Sequence, residues 1–145
     1  MFRMVWLRYL LLVVYTGFMF ACVEDDENAH LKQALDNIIS AVEAHSASKV
    51  NQYLSPDFKT TKHTGINDIQ GLMLLHFRSN SVIRIFTSDL RLNIENGRGQ
   101  ISFNALVTGS SHWLPERGQR FLVKTRWNKV AGDWKLDRLD WEKAG

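Results

Sequence analysis

Between Asn28 and His45 the apolar residues Leu31, Leu35, Ile38 and Val42 recur at spacings of four, three and four, with Ala34 and Ala41 beside them. Lys32, Gln33, Asp36, Asn37 and Glu43 lie opposite or flank that stripe, so the pattern predicts an amphipathic helix with one face toward a core. Ser46 is a candidate N-cap for a short second helix, Ala47 to Leu54, which Pro56 would stop because proline lacks the N–H a helix needs. A polar link, KTTKHTG, leads to a third predicted helix from about Asn67 to Arg78, carrying Ile69, Leu72, Met73 and His76.

After Asn80 the period changes. Val82 to Phe86, Leu90 to Ile94, Gln100 to Thr108, Arg120 to Asn128 and Asp133 to Trp141 are rich in β-branched and aromatic residues and read as strands. The breaks between them carry turn chemistry: Asn96-Gly97 followed by Arg98-Gly99, a longer GSSHWLPERG, and Ala131-Gly132. Helices first and antiparallel strands afterwards make an α+β class, with the helices packed on one face of a bent sheet of about five strands.

The first 21 residues follow neither pattern. Arg3 and Arg8 precede or interrupt an apolar run, Tyr9 to Tyr15, and small or apolar residues continue to Ala21, the layout of an export signal. Met19-Phe20-Ala21-Cys22 resembles a bacterial lipobox, in which the cysteine thiol receives a diacylglyceryl group. Met19 and Phe20 depart from the usual residues, and an uncleaved inner-membrane signal anchor is the alternative. Val23 rather than Asp after the cysteine implies, on that resemblance, the periplasmic face of the outer membrane. The expected organisation is an export signal over 1–21, an acidic tether over 22–28 and one domain over 29–142, with Cys22 as lipid attachment site.

Composition removes several classes. Net charge is +3, but with Arg3 and Arg8 set aside the chain from Cys22 onward has 16 Lys and Arg against 15 Asp and Glu. Without a clustered basic run, nucleic acid is not an expected partner. A single cysteine forms no internal disulfide, and the five histidines show no HxH or HExxH spacing, so neither metal nor other cofactor is expected.

A long helix, a short helix ending in LSPDF (Leu54 to Phe58), a third helix and a closing hairpin in which Lys124-Thr125-Arg126-Trp127 precedes Gly132-Asp133-Trp134-Lys135-Leu136 together resemble the nuclear-transport-factor-2-like superfamily. That superfamily includes the SnoaL-like cyclases and ketosteroid isomerases, and the resemblance covers roughly residues 29 to 142. It implies a cone-shaped sheet closed by helices, a pocket used by some members for acid–base chemistry, and a homodimer formed through the sheet.

Isomerase-like members place a carboxylate a few residues past the position of Asp57. Lys59-Thr60-Thr61-Lys62-His63 offers none there, and His63 reads more readily as an exposed loop histidine than as a base. The candidate pocket residues are Tyr53, His76, Trp127, Arg138 and Asp140; Tyr53 and Trp127 are equally consistent with core positions. His112-Trp113 falls in the long hairpin loop, where an exposed Trp would mark a contact surface. On strict alternation Trp134, Leu136, Arg138 and Asp140 share one face, which would carry an ion pair into the cone. A bulge near Asp137 would switch parity, turning Leu139 and Trp141 inward and the charges outward; this is the preferred reading of the strand. The functional expectation is a membrane-anchored envelope lipoprotein whose domain binds a small apolar ligand or serves as a scaffold without catalysis. The alternative is an isomerase, dehydratase or cyclase, with His63 or Asp140 as base and Tyr53 or Arg138 stabilising an oxyanion.

Overall fold

The computed structural model describes residues 21–61, 64–111 and 114–145. All of the expected export signal but Ala21, the Cys22 side chain, His63 and His112-Trp113 lie outside what is described.

Helix α1 spans Ala21–Glu43 and buries Leu31, Ala34, Leu35 and Ala41 of the predicted stripe, with Ile38 and Val42 half-buried. Residues 22–28, expected as a solvated tether, are helical, and Glu27 Oε1 accepts a hydrogen bond from Lys129 Nζ at 2.6 Å. The helix ends at His45 in the left-handed region, φ 57°, where the His45 and Ser46 amides bond back to the carbonyls of Val42 and Ala41. Ser46 then caps α2, Ala47–Gln52, by accepting from Lys49 N.

Helix α2 stops two residues short of the predicted Leu54 because Leu54–Thr60 is a strand, β1. The proline that suggested a helix stop is accommodated because β1 is an edge strand, where a missing N–H breaks no second ladder. β1 runs parallel to the last strand and buries Leu54, Phe58 and Thr60. The sheet is therefore mostly, not wholly, antiparallel. Helix α3, Ile66–Ser79, begins where the Gly65 amide donates to Asp68 Oδ2 at 3.2 Å.

β2 spans Val82–Glu95 as one strand where alternation suggested two. Its apolar pattern breaks because register shifts between Ser88 and Arg91, with Asp89 at φ 53° and its carboxylate held by Asn104 Nδ2 at 2.8 Å. β3 (Arg98–Ser111), β4 (Leu114–Val130) and β5 (Asp133–Lys143) complete a sheet of order β1-β5-β4-β3-β2. The hairpin turns place Asn96 and Gly97, then Ala131 and Gly132, at positive φ, as two-residue turns of this hand require.

Ile101, Phe103, Ala105, Val123, Trp127, Trp134 and Leu136 form the inner sheet face against α1. Gly99 permits the closest approach: a Cβ there would stand 2.5 Å from Leu31 Cδ2. Trp127 is fully buried, its Nε1 donating to Thr125 Oγ1 at 2.8 Å, and that hydroxyl donates to Ile101 O at 2.9 Å.

The register of β4 with β5 pairs Arg126 with Arg138 but Trp127 with Leu136, leaving Asp137 as an extra residue. This is the parity-switching bulge expected near that position. Trp134 and Leu136 face inward before it, and Leu139 and Trp141 after it.

Candidate functional site

Between α1, α3 and the inner sheet face lies a cavity of about 660 Å³. Ile38 and Val42 of α1, Phe58 of β1, and Ile69, Leu72, Met73 and Phe77 of α3 form one side. Ile83, Ile85, Ala105, Val107, Phe121, Val123, Leu136, Leu139 and Trp141 of the sheet form the other. The polar lining consists of His76, Ser79, Asn80 and Thr108, carried by the end of α3, the residue after it and β3. Their local frame is fixed: the Asn80 amide and Asn80 Nδ2 both donate to His76 O at 3.0 Å. His45 Nε2 lies 2.9 Å from Asn80 O, with its ring edge-on to Phe77. The arrangement suits an apolar body with a few oxygen or nitrogen atoms at the His76 end.

Of the five predicted pocket residues, only His76 lines this cavity. Trp127 is core, fully buried and tied to Thr125. Tyr53 faces a separate polar cleft between α1 and the β4–β5 hairpin, with Lys135 Nζ 6.0 Å over its ring. Arg138 and Asp140 stand on the opposite, outer face of the sheet, because the extra residue at Asp137 turns them there. Asp140 Oδ2 accepts from Arg138 Nε at 2.9 Å and Oδ1 from the Thr61 hydroxyl at 2.6 Å. They do not face the apolar cavity; they line a separate groove on the outer face of the sheet.

Burial pushes the Asp140 carboxyl up, but the Thr61 hydroxyl and the Arg138 guanidinium outweigh it and hold the group below its ordinary value of 3.8. A depressed carboxylate stabilises the fold above its unfolded value and loses that contribution as pH falls through the folded one. Asp140→Asn should therefore flatten the acid limb of the stability profile below about pH 4 and cost at most about 1 kcal/mol at neutrality, since the pair is partly exposed. Chemical unfolding of both proteins between pH 2 and 7 measures this; an unchanged acid limb would show that Asp140 does not contribute.

Sequence reasoning missed Met73, Phe77, Ile83, Val107 and Phe121 as cavity wall, because apolar periodicity does not distinguish packed core from cavity lining. It also missed His45 and Asn80, whose contact joins positions 35 residues apart. Among the described residues no group of three or more His, Cys, Asp or Glu is placed to hold a metal ion, and no helix is long and apolar enough to cross a bilayer.

Helices leading into a five-stranded, mostly antiparallel sheet, with a cavity between the layers, define a fold of the nuclear-transport-factor-2-like type. Solved structures share it at low identity. A candidate dehydratase of the NTF2-like family from Streptomyces avermitilis superposes with a TM-score of 0.76 at 12% identity, over 85% of this chain and 99% of its own. A candidate scytalone dehydratase from Novosphingobium aromaticivorans gives 0.77 at 10%, over 84% and 87%. The hexachlorocyclohexane dehydrochlorinase LinA-type3 from Novosphingobium barchaimii gives 0.68 at 11%, over 84% and 89%. No protein-family model and no curated protein matches the sequence. The likeness is one of fold.

Proposed function

We propose that this is a ligand-binding domain that holds an apolar small molecule in the cavity beneath α3, without catalysis, and that residues 1–21 are an export signal whose removal leaves a lipid on Cys22 to tether it to a bacterial envelope membrane. The lining of the 660 Å³ cavity carries the binding part of this reading. It is apolar except at the end formed by His76, Ser79, Asn80 and Thr108, so affinity would come from burying hydrocarbon and orientation from a small polar group. The tether rests on the charged, apolar and small-residue order of the first 21 positions and on the cysteine that follows.

The acid–base alternative rests on His76, the one ionisable side chain among the described residues that line the cavity. A lone imidazole could move a proton next to a carbonyl, but neither Arg138 nor Asp140 is there to stabilise the resulting charge.

Titration of the domain, residues 22–145, with N-phenyl-1-naphthylamine, a neutral apolar fluorophore, tests the binding reading. The expected result is saturable 1:1 binding with a dissociation constant near micromolar, about −8 kcal/mol. Enhancement that rises linearly without saturation would show that the cavity does not act as a site. Turnover of a ketone substrate abolished by His76→Gln would replace binding with catalysis.

A further inference from the structure

The outer face of the sheet carries a charge pattern that the cavity does not use. Across the strands, Asn93, Gln100, Arg126, Arg138 and Lys59 occupy one continuous register row from β2 to β1. A second row runs Arg91, Ser102, Lys124, Asp140. Neighbouring strands stand about 4.8 Å apart, so the backbones of Arg126, Arg138 and Lys59 lie in a row about 10 Å long. Like charges directly opposite each other in a sheet are destabilising. The cost is only partly relieved: Asp137 accepts from Arg126 at 2.9 and 2.7 Å, and Asp140 is engaged by Arg138 and Thr61.

Arg91 and Lys124 have no side-chain partner among the described residues. The two rows thus gather five cations, Lys59, Arg91, Lys124, Arg126 and Arg138, around two carboxylates, Asp137 and Asp140. The chain from Cys22 onward is otherwise nearly neutral. Four of the five line a groove of about 460 Å³, with the amides of Asn93 and Gln100 and the hydroxyl of Ser102 between them.

We propose that this groove docks a carboxylate-rich segment of a partner protein. The cations provide the complement to its charge, and the guanidinium groups offer paired donors suited to carboxylates. A protein fits better than a bilayer because the surface is recessed and because apolar residues adjoin it on the same face. Phe86, 57% exposed, pairs in register with Leu106, and Leu122, 38% exposed, with Asn104. A second copy of the chain laid face to face, the occupant implied by the superfamily resemblance, would bring the five cations of one groove toward those of the other, although Asp89 and Glu142 flank them in the next row. The proposal does not depend on what the cavity binds.

The test is fluorescence anisotropy of a fluorescein-labelled octaglutamate peptide with the domain, residues 22–145, at 20 and 200 mM salt. Saturable binding that weakens by about tenfold or more in the double variant Arg91→Glu, Lys124→Glu is expected, together with a marked loss at the higher salt. Neither residue has a side-chain partner among the described residues, so their reversal breaks no ion pair described in the fold, and near-UV circular dichroism checks that the fold is kept. Lys32→Glu combined with Lys49→Glu changes net charge equally on the helices and should leave affinity within about twofold. Absence of peptide binding, or equal losses in the two double variants, overturns the proposal. So does a dimer in sedimentation that the Arg91, Lys124 variant dissociates, or binding confined to phosphatidylglycerol vesicles.

Discussion

Trp127→Ala should lower the domain's urea midpoint further than any other single substitution considered for the core. The side chain is fully buried between α1 and the sheet, and deleting a buried aromatic of this size typically costs about 3–5 kcal/mol once the cavity left behind is included. The change also removes the donor that Thr125 Oγ1 accepts from, in a site where unsatisfied polar atoms are expensive. Against a total stability of about 5–15 kcal/mol, that loss is from about a fifth of the margin to all of it. Urea unfolding followed by far-UV circular dichroism measures it. Trp127→Phe keeps most of the ring volume and should retain a cooperative transition at a lower midpoint. A Trp127→Ala midpoint within experimental error of the parent would mean that the tryptophan is not the centre of the core.

The second large effect concerns the ligand. Ala105 is 5% exposed and its methyl group faces the cavity from β3, opposite α3. Ala105→Trp would place an indole in space that the fold leaves empty. Binding of N-phenyl-1-naphthylamine should fall about 100-fold, equivalent to about 2.7 kcal/mol. Because the added ring enters a void rather than packed core, the urea midpoint should move by less than the 1–3 kcal/mol usual for overpacking. Loss of binding with an intact midpoint would place the probe in the cavity. Unchanged affinity would place it elsewhere, for instance on the exposed Leu74 and Leu75 of α3.

Much of the layer order was legible because each layer has its own period. Leu31, Leu35, Ile38 and Val42 declare a helix whether or not they are packed, and β3, β4 and β5 repeat every second residue. β1 was not legible, since Pro56 carries the same local meaning at a helix end and at a sheet edge, and only the parallel pairing with β5 distinguishes them. The division of β2 into two strands misread a bulge as a turn: Asp89 at positive φ interrupts alternation without reversing the chain. The candidate site was less legible for a related reason. One extra residue at Asp137 decides on which face Arg138 and Asp140 stand. The sequence offered that bulge as one of two parities, and the β4–β5 pairing selects it. Tyr53 and His76 both sit on helical segments near the cavity level, yet only His76 turns toward it.

Helix α3 has no fully buried residue, although it forms one wall of the cavity. Its departure would expose few packed side chains and break no rung of the sheet. For a ligand held in the cavity as proposed, the speed of exchange and the strength of binding would be set by different elements. Substitutions on α3 would then change entry and exit rates together by changing how often the wall stands aside, whereas substitutions on β3 and β4 would act on residence time through the surface the ligand leaves. Two proteins with the same sheet and different third helices could share an affinity and differ in how quickly they exchange cargo.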